Sequence, residues 1–466
     1  MTTTDSGRVV PDAGYVILIA AAAAMGGFLF GFDTAVINGT VLALKSEFAA
    51  SSLGIGLAVS LALLGSAAGA FAAGPLADRI GRTRCMMIAS ALFTISAIGS
   101  GLPIGLADFI FWRVLGGIAV GAASVIAPAY IAECSPAEMR GRLGSLQQLA
   151  IVIGIFAALV GAYAIASAAG SASAPFWFGF EAWRWMFWSE VPGAVMYGVF
   201  ALVIPESPRF LVAQGRHAEA ENVLVRIVGQ QASHRVAEIH RTVSRERKPR
   251  LADIRGRWGL LPIVWIGMAL SVFQQFVGIN VIFYYSSTLW RIVGFTEQNA
   301  LLITMITGLT NIVTTLIAIA FIDRFGRKPL LLAGSVGMIV TLGALAWVFG
   351  TSPINAEGFP VLSSAAGLVA LLAANIYVFC FGFSWGPVTW VLLGEMFNNR
   401  IRASALALGA GAQWIANFLV STTFPPIAYN WGLAAAYGLY TGFAVLSFIF
   451  VAKFIKETKG IELEDM

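Results

Sequence analysis

The sequence predicts an all-α membrane protein with twelve transmembrane helices, arranged as two six-helix halves related by a pseudo-two-fold axis along the membrane normal. Only 11% of the residues are charged and 58% are hydrophobic, whereas soluble domains average about 25% charged residues. Apolar runs long enough to cross a bilayer recur along the whole chain. Charged motifs of the first half also return in the second half, which predicts two repeats with the same orientation.

The apolar runs and one long polar stretch define the organisation of the chain. The predicted spans lie near residues 15–38, 53–76, 85–105, 109–132, 144–166, 185–205, 259–290, 299–322, 329–350, 362–392, 401–425 and 434–455. We therefore expect an N-terminal six-helix half over residues 1–205 and a cytoplasmic linker over 206–258. A C-terminal six-helix half with a short cytoplasmic tail follows over 259–466. The linker mixes charged with small apolar residues, which is typical of short amphipathic helices at a membrane surface.

Lysine and arginine predict the orientation, because positive residues favour the cytoplasmic loops. With the N-terminus inside, 25 of the 29 lie on inside segments, three lie in outside loops and one lies within a span. Both termini are therefore predicted to be cytoplasmic. The net charge of +5 is explained by these flanking residues, so no nucleic-acid partner is expected. The three cysteines lie far apart and the three histidines fall in one polar stretch, so no metal site is predicted.

Short charged motifs repeat at the inner face of the two halves. The pentamer at 78–82 after span 2 returns at 323–327 after span 8, and a Glu and an Arg seven residues apart follow both span 4 and span 10. These residues are predicted to form a cytoplasmic gate of weak ion pairs that breaks in every cycle, although simple topology signals would explain them as well. The predicted gate residues are Asp78, Arg79, Arg82, Glu133, Arg140, Asp323, Arg324, Arg327, Glu395 and Arg402.

Two ionisable residues are predicted to lie well inside spans, where they are costly and usually functional. Asp33 lies in the outer half of span 1, and Arg113 lies at a similar depth in span 4. One interpretation is a structural salt bridge. The other is a proton site, because a carboxylate whose burial or distance from Arg changes between states can bind a proton on one side and release it on the other.

Polar amides inside the spans predict a site for a neutral hydroxylated ligand, because each amide offers both donors and acceptors. Alternatively, each amide stabilises helix packing through a hydrogen bond to a neighbouring helix. Two tryptophans offer flat faces for a sugar ring, and Tyr284 shares a helix face with Asn280. The candidate ligand-binding residues are Gln148, Gln274, Gln275, Asn280, Tyr284, Asn311, Trp390, Gln413, Trp414 and Asn417.

Two helix breaks are predicted next to these candidates. Gln275 and Asn280 differ by about 140° around an ideal helix, so they can face one cavity only if the helix unwinds at Gly278. Gly386 and Pro387 are expected to break span 10 beside Trp390 in the same way. Broken helices at cavity depth are typical of transporters.

These motifs resemble those of the sugar porter family of the major facilitator superfamily, and most closely its bacterial proton-coupled glucose and xylose symporters. The resemblance rests on the stretches at 78–82, 205–209, 274–280 and 323–328. It implies that Asp33 accepts the proton and that Arg113 is its partner. The same resemblance implies sugar contacts, with Tyr284 and Trp414 nearby, from Gln148, Gln274, Gln275, Asn280, Asn311, Trp390 and Gln413. It also implies a bacterial inner membrane. One departure is Lys456, which stands where the family usually has Pro.

The sequence thus predicts a secondary active transporter, a sugar:proton symporter that imports a monosaccharide by alternating access. Glucose or a similar hexose is the expected substrate, with xylose as the alternative. The expected partners are the sugar, a proton and the lipid bilayer, and we expect a working monomer without a cofactor or enzymatic activity. A facilitative uniporter and a membrane sugar sensor are the alternatives, although a sensor would be expected to carry a long output domain. An ATP-driven pump is disfavoured by the lack of a phosphate-binding loop motif.

Overall fold

The computed structural model describes residues 12–136, 139–245, 254–257, 259–355, 359–397 and 401–457, without the side chains of 140–142, 244–245, 322–323 and 402–403. Within these residues, twelve helical segments are long and apolar enough to cross a membrane. The predicted fold class, a helical membrane protein with twelve spans in two halves, is confirmed.

Each predicted span corresponds to one helix or to a pair of helices. The first half comprises α1 (Ala13–Val36), α2 (Val41–Glu47), α3 (Ser52–Ile80), α4 (Arg82–Gly101), α5 (Leu106–Cys134), α6 (Arg140–Ala169), α7 (Ala182–Trp188) and α8 (Val191–Val203). The second half comprises α12 (Pro262–Phe276), α13 (Ile279–Ile292), α14 (Glu297–Phe325), α15 (Arg327–Thr351), α16 (Ser364–Gly382), α17 (Trp385–Glu395), α18 (Arg402–Asn430) and α19 (Leu433–Phe454). We call the face with the loops that hold Lys45, Arg184 and Arg291 the outer face, after the predicted orientation.

The polar stretch between the halves folds into the short helices that the sequence predicts. They are α9 (Pro208–Ala213), α10 (His217–Val228) and α11 (Ala232–Arg245), and they share a small apolar core. The backbone N–H of Asp12 donates to the carbonyl of Arg226 at 3.0 Å, so α10 is tied to the start of α1. The division of the chain at 205 and 258 stays a prediction.

Small residues bring the helices of the first half into close contact. A Cβ on Gly117 of α5 would lie 1.9 Å from the carbonyl oxygen of Ala62 on α3, and one on Gly65 would lie 2.4 Å from that of Val114. Any larger residue would therefore push the two backbones apart. Helices in a bilayer gain no hydrophobic free energy by associating, because lipid tails are as apolar as their side chains. Close packing of small residues contributes to their association instead.

The two halves meet along two matching helix pairs. α3 packs against α18, and α6 packs against α14. Since α3 and α14 are the second spans of their halves and α6 and α18 the fifth, the pseudo-two-fold axis exchanges the two contacts. The centre of the protein therefore lies between the first and fourth spans of each half, α1 and α5 in the first half and the broken pairs α12–α13 and α16–α17 in the second.

The break in span 7 lies where the sequence predicts it. Gly278 separates α12 from α13 with φ +87°, in the left-handed region that favours glycine. The hydroxyl of Tyr377 donates to the freed carbonyl of Val277 at 2.8 Å. Tyr440 packs so closely that a Cβ at position 278 would lie 2.8 Å from its ring. Side chains that neighbouring helices supply therefore hold the unwound turn in place.

The break in span 10 was predicted at the wrong residues. The helix ends at Gly382 and restarts at Trp385, so the interruption falls at Phe383 and Ser384 and not at Gly386 and Pro387. Pro387 instead lies in the first turn of α17. A missing N–H has no consequence there, because the first N–H groups of a helix lack partners within the helix.

Candidate functional site

Asp33 and Arg113 form a buried ion pair between α1 and α5. Nη1 of Arg113 donates to Oδ1 of Asp33 at 2.6 Å, and Nη2 donates to the Asp33 backbone carbonyl at 2.9 Å. Both residues are only 2% exposed. The guanidinium also lies 5.6 Å from the ring centre of Phe187 on α7. The structure thus brings the two predicted residues together at one depth.

A second carboxylate, which the sequence reading missed, lies close to this pair. Glu190 is at the junction of α7 and α8, inside the predicted sixth span, and is 1% exposed. Among the described residues, neither of its carboxylate oxygens has a hydrogen-bond partner. Its charge is near enough to interact with those of Asp33 and Arg113. The site therefore contains two acids and one base, and not the simple pair that was predicted.

Three of the predicted amides form a hydrogen-bonded chain across the break in span 7. Nε2 of Gln274 donates to the carbonyls of Trp385 and Gly386 at 2.9 and 3.2 Å. Nε2 of Gln275 donates to Oε1 of Gln274 at 3.3 Å, and Nδ2 of Asn280 donates to Oε1 of Gln275 at 2.5 Å. The unwinding at 278 thus turns Gln275 and Asn280 towards each other, as predicted.

A second group of candidates connects α13 with α18. Nδ2 of Asn417 donates to the hydroxyl of Tyr284 at 3.3 Å, and Oγ of Ser421 donates to Oδ1 of Asn417 at 3.1 Å. The charges of Asp33 and Arg113 act on Tyr284, so this group lies near the ion pair. One turn before Asn417, the buried Oε1 of Gln413 has no partner within the described chain. An orphaned buried acceptor of this kind suits the hydroxyl of a ligand.

The remaining candidates surround these two groups. Oδ1 of Asn311 lies 3.6 Å from the Cβ position of Gly382, beside the break in span 10. Trp414 packs against Phe30 across the two halves, with ring centroids 5.8 Å apart. Gln148 is half-buried and Trp390 is 41% exposed. The structure therefore places Trp414 against Phe30 of α1, while Trp390 lies on a more open surface.

The predicted gate residues form ion pairs within each half. Nη2 of Arg82 contacts Oε1 of Glu133 at 2.9 Å and Nη1 contacts the exposed Asp78 at 3.2 Å. In the second half, Nη2 of Arg327 contacts Oε1 of Glu395 at 2.7 Å. Arg79 and Arg324 are exposed, and the side chains of Arg140, Asp323 and Arg402 lie outside the described residues. Each of these described ion pairs therefore joins residues of one half.

Two glutamates that were not among the predicted gate residues complete these clusters. Glu206 accepts the backbone N–H groups of Arg82 and Thr83 at 2.9 and 3.2 Å, and Glu457 accepts those of Arg327 and Lys328 at 3.0 Å each. Each carboxylate thus satisfies the first free N–H groups of a helix, where negative charge is favoured. The signal available in the sequence was that a Glu follows the last span of each half, in Pro205-Glu206-Ser207 and in Glu457-Thr458.

The outer face is closed by direct contacts between the halves. Nδ2 of Asn38 donates to the carbonyl of Phe283 at 2.8 Å, and its Oδ1 accepts the N–H of Ser287 at 3.1 Å. The N–H of Ala172 donates to Oε1 of Glu297 at 2.6 Å. Ser60 and Thr422 share a hydrogen bond of 2.6 Å between α3 and α18. Beside Asn38, a polar cavity of about 210 Å³ remains between the halves.

The sequence is similar to those of known sugar transporters. The family described as "Sugar (and other) transporter" matches residues 19–466. A glucose transport protein of a Synechocystis species is 64% identical over 97% of both chains. The D-xylose-proton symporter of Escherichia coli K12 is 39% identical over 98% of this chain and 96% of its own.

Solved structures of a sugar transporter also superpose on this chain. The partially occluded inward-open conformation of the E. coli xylose transporter XylE superposes with a TM-score of 0.83 at 37% identity, covering 97% of this chain and all of the other. Its inward-open conformation has a TM-score of 0.82, with 97% and 98% of the two chains covered. This protein belongs to the sugar transporter family of the major facilitator superfamily.

Proposed function

We propose that the protein is a sugar:proton symporter that imports a monosaccharide, with glucose as the preferred substrate. The observation that carries the proposal is the buried group of Asp33, Arg113 and Glu190, whose charges reach Tyr284 of α13, the residue that Asn417 of α18 contacts. The 64% identity to a glucose transport protein supports glucose, and the 39% identity to a D-xylose-proton symporter supports proton coupling.

Charge balance explains how the buried group would couple to protons. With both carboxylates ionised and one guanidinium, the group carries a net charge of −1. Burying an uncompensated charge is costly, so neutrality requires one proton on Asp33 or Glu190. Opening the site to water on one side removes that requirement, because hydration stabilises the second carboxylate. Each cycle can therefore carry one proton.

The sugar is expected to bind between the halves, at the broken helices. The amides of Gln274, Gln275 and Asn280 already form one chain, so a ligand finds donors and acceptors in fixed positions and little side-chain entropy is lost. Oε1 of Gln413 can accept a hydrogen bond from a sugar hydroxyl, and the Trp414 ring offers an apolar face. A neutral, polyhydroxylated ring fits this combination of groups.

Alternating access would move the two halves about this site. The hydrogen bonds at the outer face and the TM-scores with inward-open structures support assigning this conformation to the inward-facing side of the cycle. We propose that the predicted inner ion-pair residues join the halves only in the outward-facing state. We also propose that both termini are cytoplasmic, that the membrane is the bacterial inner membrane and that the monomer is the working unit.

The test is tracer uptake by purified protein in liposomes with an imposed pH gradient, acidic outside. We expect glucose to accumulate above its external concentration and to leave when a protonophore is added. In Asp33→Asn, uphill accumulation should be lost while sugar exchange between equal concentrations remains. Uptake that only equilibrates in the wild type, whatever the gradient, would instead identify a facilitative uniporter.

A further inference from the structure

The loop between α6 and α7 forms a small hairpin with an unusual number of aromatic residues, here called the aromatic hairpin (residues 172–183). Three backbone hydrogen bonds join its two arms. The N–H of Trp183 donates to the carbonyl of Ala172 at 2.8 Å, that of Ala182 to Ala174 at 2.9 Å and that of Phe176 to Phe180 at 2.8 Å. The hairpin is therefore an ordered element of the outer face. Its base, at Ala172 and Ser173, borders the outer closure, whereas the aromatic rings of its tip pack on α7.

Aromatic rings cover the tip of the hairpin and the adjoining face of α7. Trp177 stacks on Phe176 with centroids 4.9 Å apart, and Phe178 lies 6.1 Å from Trp185. Yet Trp177 is 62% exposed and Phe178 is 88% exposed. Phe178 has φ +57°, which bulky residues rarely adopt. The turn thus holds its apolar side chains outward.

This exposed surface continues the lipid-facing surface of the neighbouring spans. Phe180 packs on Trp188 with centroids 5.2 Å apart, and Nε1 of Trp188 donates to the carbonyl of Ile98 on α4 at 3.2 Å. Ile98 on that helix is 43% exposed and Leu102, directly after its end, is 48% exposed, as expected for side chains that face acyl chains. The aromatic hairpin therefore begins where the outer lipid-facing surface of α4 ends.

The polar groups of the hairpin are compatible with an apolar environment. Residues 172–180 carry no charged side chain, and Pro175 has no N–H. The charged residue of the hairpin, Glu181, lies at its base and pairs with Arg184 at 2.5 Å. The N–H groups of Phe176, Gly179 and Phe180 donate within the hairpin, and that of Ala174 donates to the carbonyl of Ser171 just before it. Unpaired backbone groups are what normally keeps a loop out of a membrane, and here the internal bonds remove much of that obstacle.

We propose that the aromatic hairpin inserts into the headgroup region of the outer leaflet and anchors the outer end of the first half to the bilayer. Tryptophan and other aromatic residues favour this depth, because one part of the ring system is apolar and another can meet water. The partner is an uncharged or zwitterionic lipid interface, since the tip offers no charge to select anionic lipid.

The test uses a fluorescent label in the functional protein. The three native cysteines are buried, so Phe178→Cys can be labelled with an environment-sensitive dye and reconstituted in phosphatidylcholine vesicles. The matched control is Ser173→Cys, which lies in the same hairpin but lines the polar cavity between the halves. Trp177→Cys repeats the measurement if the first variant does not fold, and sugar exchange by each labelled protein checks the fold.

We expect nitroxide-labelled lipid to quench the dye at position 178 at least about threefold more strongly than at 173, as for a group within the interface. Aqueous iodide should show the reverse order. Equal lipid quenching at both positions, or stronger iodide quenching at 178, would overturn the proposal. Efficient disulfide cross-linking between two unlabelled copies of the Phe178→Cys variant would also overturn it, because a second copy of the chain would then cover the hairpin.

Discussion

Replacing Asn38 by alanine is expected to weaken the outer closure and shift the protein towards its outward-facing state. The side chain of Asn38 makes two short hydrogen bonds to α13, one to the Phe283 carbonyl and one from the Ser287 N–H, besides a long one of 3.4 Å to the Ile282 carbonyl. These two groups are four residues apart in a helix, so they can bond each other when Asn38 is removed. The substitution therefore removes contacts between the halves without leaving an orphaned group in α13.

The magnitude follows from those two bonds. Each is worth about 1 kcal/mol net when no partner is left unsatisfied, so the closed state loses about 2 kcal/mol. The outward-facing population should then rise by up to about 30-fold, since about 1.4 kcal/mol corresponds to a factor of ten. The bond from Ser287 Oγ to the Asn38 carbonyl at 2.5 Å uses the backbone and survives the change.

The assay is the reaction of a cysteine in the outer closure with a membrane-impermeant maleimide. Leu301 lines the outer cavity and is 3% exposed, so Leu301→Cys should react only when the closure opens. We expect Asn38→Ala to raise its rate of labelling about 10- to 30-fold. Thr40→Ala is the matched control, because it removes a buried hydrogen bond to Ile37 within the same half. Equal rates in the two variants would refute the role of Asn38.

Three further substitutions test the site and the break in span 7. In Glu190→Gln, the remaining pair of Asp33 and Arg113 is neutral without a bound proton. Sugar exchange should therefore persist, whereas external acid should no longer accelerate sugar uptake. A pH dependence of uptake equal to that of the wild type would contradict a proton shared by Asp33 and Glu190. Gln413→Leu removes one hydrogen bond to the sugar and should raise the dissociation constant of glucose about three- to tenfold, which titration calorimetry measures; an unchanged constant would remove Gln413 from the site. Gly278→Ala forces a Cβ to within 2.8 Å of the Tyr440 ring at φ +87° and should destabilise the protein by about 1–3 kcal/mol in thermal unfolding. Gly438→Ala, which meets no atom within 4 Å, is its control, and equal melting temperatures would refute the strain.

The fold, and the residues proposed for much of the candidate site, could be predicted because the relevant signals are local. Spanning length and charge patterns identify helices without any knowledge of their partners. Asp33 and Arg113 stood out because charged residues are rare in apolar runs. The unwinding at Gly278 followed from helical geometry alone, since Gln275 and Asn280 could not otherwise face each other.

The parts that were missed depend on long-range packing. Asn38 reads as an ordinary polar residue at the end of span 1, and its partner Ser287 is 249 residues away. Glu190 lies near the predicted start of a span, where its depth could not be judged without the packing of α7 against the ion pair. The inner ion pairs were predicted to join the halves, but the described ones join helices of one half, and a sequence pattern does not say which of several nearby carboxylates each Arg will meet.

The central claim is that sugar and proton cross together, and sugar-induced proton movement tests it most directly. Glucose is added to proteoliposomes in weakly buffered medium without an imposed gradient, with valinomycin and potassium present to prevent a membrane potential, and the external pH is recorded. We predict a rise in external pH that matches one proton per sugar taken up, and no rise in Asp33→Asn although sugar still exchanges. Glucose influx in the wild type without any pH change would contradict the account and identify a uniporter.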